Sequence, residues 1–135
     1  MSNATDLAII IIAGGRNYEF TADDYHWLNT WWSERRAEGK QIAILTGGAT
    51  GADNYGRHWA QAYLLMAVEE KADWKKYGKK AGPLRNQKMV DRADGIILFP
   101  GGVGTTDVAT RAREKGIRIW ESRSRKNANY QPPEQ

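Results

Sequence analysis

The chain has no cysteine, which excludes disulfides, thiolate nucleophiles and cysteine-ligated metals. Histidine is nearly absent too. His26 and His58 stand alone, with no partner at metal-ligand spacing, so neither a metal nor a cofactor is expected. Long apolar runs are missing: the longest, residues 7–13, is too short to cross a bilayer, and Asp6 before it is the wrong flank for a signal peptide. With nothing arguing for a membrane or an oxidising compartment, a cytoplasmic location is expected. No one sign of charge dominates either, since 20 Lys and Arg face 16 Asp and Glu, a formal net charge of +4. The basic excess gathers in residues 71–92 and 111–126, and most of it reads as solvated surface.

What the chain does have is a core and a repeated loop pattern. Its 135 residues, 41% of them hydrophobic, suffice for one domain and leave no room for a second. Residues 1–121 carry the pattern of that domain. Residues 122–135 have no apolar rhythm and read as a mobile basic tail.

Five runs read as strands: 7–13, 41–45, 66–70, 96–99 and 117–120. The third is the poorest in β-branched residues and is placed at an edge. Helical patterns alternate with them. Thr21 with Asp24 forms an N-cap signal, after which Tyr25, Leu28, Trp31, Trp32 and Arg35 recur at helical spacing until Gly39. Trp27, Trp31 and Trp32 make a stripe too wide for one core face, so it serves either to cover the sheet or to form a homodimer interface. A second helix runs from Ala52 to about Leu65, with Tyr55, Trp59, Ala62 and Tyr63 toward the sheet. A loop over 71–82 leads to a helix with Pro83 in its first turn, and a last helix runs from Thr105 to Gly116. Strands alternating with helices predict an α/β fold: a Rossmann-like three-layer α/β/α sandwich on a five-stranded parallel sheet.

Three strands end in glycine loops: Gly14-Gly15-Arg16, Thr46-Gly47-Gly48-Ala49-Thr50-Gly51-Ala52-Asp53, and Pro100-Gly101-Gly102-Val103-Gly104-Thr105. In a parallel sheet their carboxyl ends share one edge, so the loops should meet at one crevice. Glycine lets an anion approach the backbone, and the helix start beyond it offers unpaired N–H groups, together a phosphate cradle. None is a Walker A loop, which would end in Gly-Lys-Ser/Thr. The last also lacks the third glycine of a dinucleotide fingerprint, because Asp107 stands there. Arg16 could clamp a phosphate. Asp53 has two readings, a helix-first-turn carboxylate or a partner for a ribose hydroxyl.

PGGVGT after a buried strand resembles the PGGxGT signature of the SLOG superfamily, whose members include the LOG phosphoribohydrolases and the DNA-processing protein DprA. Together, GGRNY at Gly14 to Tyr18, TGGATGAD at Thr46 to Asp53, ADW at Ala72 to Trp74 and AGPLRNQKM at Ala81 to Met89 resemble the YspA-like, YpsA-related SLOG proteins. The resemblance covers about residues 7–121. It implies a nucleotide pocket with Arg85 on phosphate or ribose and Asn86 at the position where LOG proteins carry Lys. It also implies a ring-stacking role for Trp74 or Tyr77 as a lid, set against Trp74 plugging the sheet edge. In the LOG motif PGGxGTxxE the final Glu supports glycosidic cleavage, whose oxocarbenium-like state needs a carboxylate. This chain has Val108 there. Asp107 lies one residue earlier, about 100° around the helix.

The expected function is therefore binding of a nucleotide or nucleotide-derived small molecule, as a sensor or binding module. A second reading is a nucleoside 5′-monophosphate phosphoribohydrolase with Arg85 and Asp107 or Asp53 in catalytic roles. A third, single-stranded nucleic-acid binding, ranks last because the basic residues are dispersed among acidic ones.

Overall fold

The computed structural model describes residues 6–122; the expected mobile tail, apart from Ser122, lies outside the described residues. Strands β1 (Asp6–Ala13), β2 (Lys40–Thr46), β3 (Met66–Glu69), β4 (Gly95–Leu98) and β5 (Arg118–Glu121) form one all-parallel sheet in the order β3-β2-β1-β4-β5. The Rossmann-like expectation therefore holds, with β1 central and β3 at an edge. Helices α1 (Ala22–Ala37), α2 (Ala52–Ala62), α4 (Ala81–Arg92) and α5 (Val103–Lys115) flank it, and a short α3 (Trp74–Tyr77) runs through a 3-10 turn into α4. No helix among the described residues is long and apolar enough to cross a membrane.

Period-two alternation splits β1 between two cores. Ile10 and Ile12 face α1 and α2, packing with Ile44, Leu28, Trp31 and Trp59. Ile11 and Ala13 face α4 and α5, packing with Leu45, Val90, Ile96 and Val108. The two helix layers follow from strand order: the sheet grows one way from β1 through β2 to β3, then restarts on the other side with β4. Between the carboxyl ends of β1 and β4 lies the point where the direction reverses, the place where an open parallel sheet leaves a crevice.

The tryptophans of α1 all contact this core, with Trp27 and Trp32 partly exposed. Trp31 is fully buried and meets Trp120 edge to face, while Trp32 packs on Tyr63. Arg35 inserts its guanidinium beside the Trp31 and Trp120 rings, 5.7 and 5.3 Å from their centroids, and pairs with Glu38 at 3.2 Å. The α2 expectation needs correction. The helix stops at Ala62 because Leu64 turns the chain with φ of +59°, so its buried face is Ala52, Gly56, Trp59 and Ala60, and Ala62 and Tyr63 are exposed.

The capping box read at Thr21 and Asp24 is present: Asp24 N–H donates to Thr21 Oγ1 at 3.2 Å, and Thr21 N–H donates to Asp24 Oδ2 at 2.9 Å. Asp24 does more than cap. Fully buried, it also accepts from the Tyr18 hydroxyl at 2.8 Å and from Ser122 Oγ at 3.3 Å, tying the β1–α1 loop and the end of β5 to the start of α1. Removing it would leave a buried phenol without that acceptor and the helix without its cap. Asp24→Ala should therefore lower unfolding stability by about 2–4 kcal/mol, read as a shifted urea midpoint with an unchanged m-value.

Candidate functional site

The three glycine loops meet through the backbone of Gly15. Its N–H donates to Pro100 O at 2.8 Å, and its carbonyl accepts from Ala52 N–H at 3.1 Å and from Tyr18 N–H at 3.2 Å. Such closeness leaves no room for side chains. A Cβ on Gly14 would lie 2.6 Å from Ala52 Cβ, and one on Gly51, where φ is +70°, would lie 2.2 Å from Gly15 O.

Outside this junction opens a cleft of about 580 Å³ between the carboxyl ends of β1, β2 and β4, the middle of α4 and the start of α5. The structure brings most of the residues anticipated from sequence to it: Gly14, Gly15, Arg16, Gly47, Asp53, Arg85, Asn86, Gly102, Gly104 and Thr105 all line it. Others stand apart. Gly48 lines a smaller adjoining cavity, while Gly51 and Gly101 are spent on the junction. Trp74 is half exposed with its ring over Gly82, and it does not line the cleft.

At the α5 end, no side chain among the described residues caps the helix, and its first internal bond is Thr106 N–H to Gly102 O at 3.0 Å. The N–H groups of Val103, Gly104 and Thr105 consequently stay unpaired at the cleft, where the helix dipole favours negative charge. At the opposite side stands Asp53, in the first turn of α2. Its Oδ2 accepts from Gly47 N–H at 3.1 Å and from Ala49 N–H at 3.2 Å, which closes the β2–α2 loop into a ring.

Between them lies a chain of side chains. Arg85 donates through Nη1 to Gly47 O at 2.6 Å and through Nε to Asn86 Oδ1 at 3.0 Å. Asn86 Nδ2 donates to Asp107 Oδ2 at 2.9 Å, which also accepts from Arg111 Nε at 2.9 Å. Asp107 does not line the cleft: its carboxylate is directed to Asn86 and Arg111. Partial burial pushes that carboxyl up, but the bonds from Arg111 and Asn86 outweigh it and hold it below its usual value.

The cleft floor is apolar, formed by Ala13, Met89 and Val108. Val108 is only 2% exposed. Met89 and Asn17, which also line the cleft, entered the sequence analysis only as parts of motifs. Met89 lies three and four residues beyond Asn86 and Arg85, one helical face, and that spacing was the available signal. Among the described residues no group of three or more His, Asp or Glu could hold a metal.

No family model matches the chain. The Gene 61 protein of Mycobacterium phage D29 is 37% identical to it over 86 residues, a match spanning 58% of this chain and 69% of that protein. The chain belongs to the family of that phage protein. Among solved structures, TM1055, a structural-genomics target, superposes with a TM-score of 0.58 over 83% of this chain and 72% of its own length at 14% identity, and the two share a fold.

Burial pushes the Asp53 carboxyl up to about 6, against the N–H groups of Ala49 and Gly47 and the charge of Arg85, with Glu69 adding to the rise. Because the folded value exceeds the unfolded one, the fold favours the protonated form. That contribution is complete below about pH 4 and is lost as pH rises to about 6. Asn at this position keeps an oxygen for both loop N–H groups without carrying charge. Asp53→Asn should therefore be more stable than the parent by on the order of 2–3 kcal/mol at pH 7.5, a gap that closes by about pH 4; equal stability at both pH values in thermal or urea unfolding would contradict it.

Proposed function

We propose that this protein binds a nucleotide or nucleotide-derived small molecule in the cleft and holds it without efficient turnover, as a sensor or binding module. The observation that carries this reading is the uncapped start of α5 opening, through Gly102 and Gly104, on a cleft closed on its other sides by two more glycine loops. A phosphate at that helix start would be met by backbone N–H groups and by the dipole. One phosphate does not fill 580 Å³, and the apolar floor of Met89 and Val108 suits a sugar or base beyond it. The SLOG-like motifs point the same way.

Lack of turnover rests on Val108. Where the LOG signature carries its carboxylate, this chain offers a buried aliphatic side chain packed among Met89, Val90 and Ala112. A phosphoribohydrolase remains the second reading because one carboxylate, Asp53, does line the cleft. Incubating the pure protein with a panel of nucleoside 5′-monophosphates and NAD-derived nucleotides, followed by chromatography of bound ligand and products, separates the two. Retained, unaltered nucleotide is the expected outcome. Free base with ribose 5-phosphate would establish the hydrolase instead, and neither retained nucleotide nor products would end both readings.

Gly104 offers a sharper check, since the fold does not require it. A Cβ there meets nothing within 4 Å, and the residue sits in the first turn of α5. Gly104→Ala should raise stability by up to about 1 kcal/mol through helix propensity while a methyl group now stands between the N–H groups and the anion. Nucleotide affinity should fall by about tenfold or more, a loss of about 1.4 kcal/mol; unchanged affinity by calorimetry would remove the phosphate from this helix start.

A further inference from the structure

Asp53 is only 7% exposed, and its two carboxylate oxygens have different work. Oδ2 is committed to the N–H groups of Gly47 and Ala49. Oδ1 accepts no hydrogen bond from any described residue, although the side chain lines both the cleft and the adjoining cavity of about 220 Å³ bounded by Thr46, Asn54, Arg57 and Glu69. Oδ1 is therefore not sealed in the core but open to these cavities, where a donor can reach it.

The surroundings restrict what that donor is. The guanidinium of Arg85 acts on Asp53 from the cleft side, and Arg57 borders the adjoining cavity. Asp53 also stands in the first turn of α2, where the helix dipole is positive. The carboxylates of Asp53 and Glu69 are thus matched by the guanidiniums of Arg85 and Arg57, and this balance leaves no net pull on a cation. A neutral donor able to make a strong bond to a carboxylate fits, and a sugar hydroxyl is such a group.

We propose that the free oxygen of Asp53 accepts a ribose hydroxyl of the bound ligand, so that the site selects ribonucleotides over their deoxy counterparts. This rests on the nucleotide-binding reading and adds to it the part of the ligand that is discriminated. In the same arrangement the carboxylate shapes the loop with one oxygen and reads the sugar with the other, so loop order and sugar choice are set by a single side chain.

The test is titration calorimetry of the wild-type protein with AMP, GMP, CMP and UMP and with the 2′-deoxy and 3′-deoxy form of each, repeated on Asp53→Asn. For wild type, one deoxy series should bind about tenfold or more weakly than the ribo series, as for loss of one hydrogen bond to a charged acceptor. In Asp53→Asn, which keeps the loop bonds but replaces the charged acceptor with a neutral amide, the gap should shrink to about threefold or less. Equal wild-type affinity for ribo and deoxy forms would overturn the sugar assignment and leave nucleotide binding standing, and so would a gap that survives in Asp53→Asn. If no member of the panel binds, the nucleotide reading fails and the sugar assignment falls with it. The wild-type comparison needs no variant to fold.

Discussion

Everything at the cleft depends on one peptide, that of Gly15. A parallel sheet brings the ends of β1, β2 and β4 to the same edge, but it does not bring their loops into contact. Gly15 does so by donating to the β4 loop and accepting from the first turn of α2. Because the contact is backbone to backbone, the positions packed around it cannot carry side chains, which is why glycine recurs at Gly14, Gly51 and Gly101 without lining a pocket in every case. The glycine loops thus serve two separate ends. Some glycines close the junction, and others, Gly102 and Gly104 above all, keep the start of α5 open.

That division explains the polarity of the cleft. Its positive side combines the N–H groups at the start of α5 with the guanidiniums of Arg16 and Arg85. Its negative side is a single carboxylate whose ionised form the fold disfavours, since burial lifts the Asp53 value to about 6. A group held against its own preference near neutral pH marks a site where stability has been given up for something else. Arg85, by contrast, is no free clamp. Anchored on Gly47 O and Asn86, it works first as a strut between α4 and the β2 loop.

How far the sequence revealed this depends on which interactions are local. The strands were legible because apolar runs and glycine stops lie next to each other in the chain, and α1 because its capping box is contained in Thr21 to Asp24. Convergence of the loops followed from parallel pairing alone. What was not legible depends on how one layer sits across another. Nothing within residues 81–92 says that Arg85 will reach Gly47, 38 positions earlier, or that Asn86 will turn to Asp107. The extent of α2 was misjudged because Tyr63 and Leu65 continue its apolar pattern while the backbone at Leu64 does not. The place of Trp74 was not legible either. Its motif suggested a lid, but a short helix directs it onto Gly82.

The chemistry then turns on position 108. Cleaving a glycosidic bond requires a carboxylate beside the anomeric carbon, and any group offered there must first exist as an anion. At Val108 the neighbours are Met89, Val90 and Ala112, an apolar cluster that disfavours the ionised form of an acid. Changing that one residue would not by itself supply a catalytic base. The neighbouring acid, Asp107, is held ionised but spent on Arg111 and Asn86, facing away from the floor. Only Asp53 keeps an oxygen at the cleft, and its other oxygen fixes the loop on which the cleft depends. A carboxylate so constrained is poorly placed to move toward a reacting carbon, which is the physical reason to prefer the proposed binding role over the hydrolase.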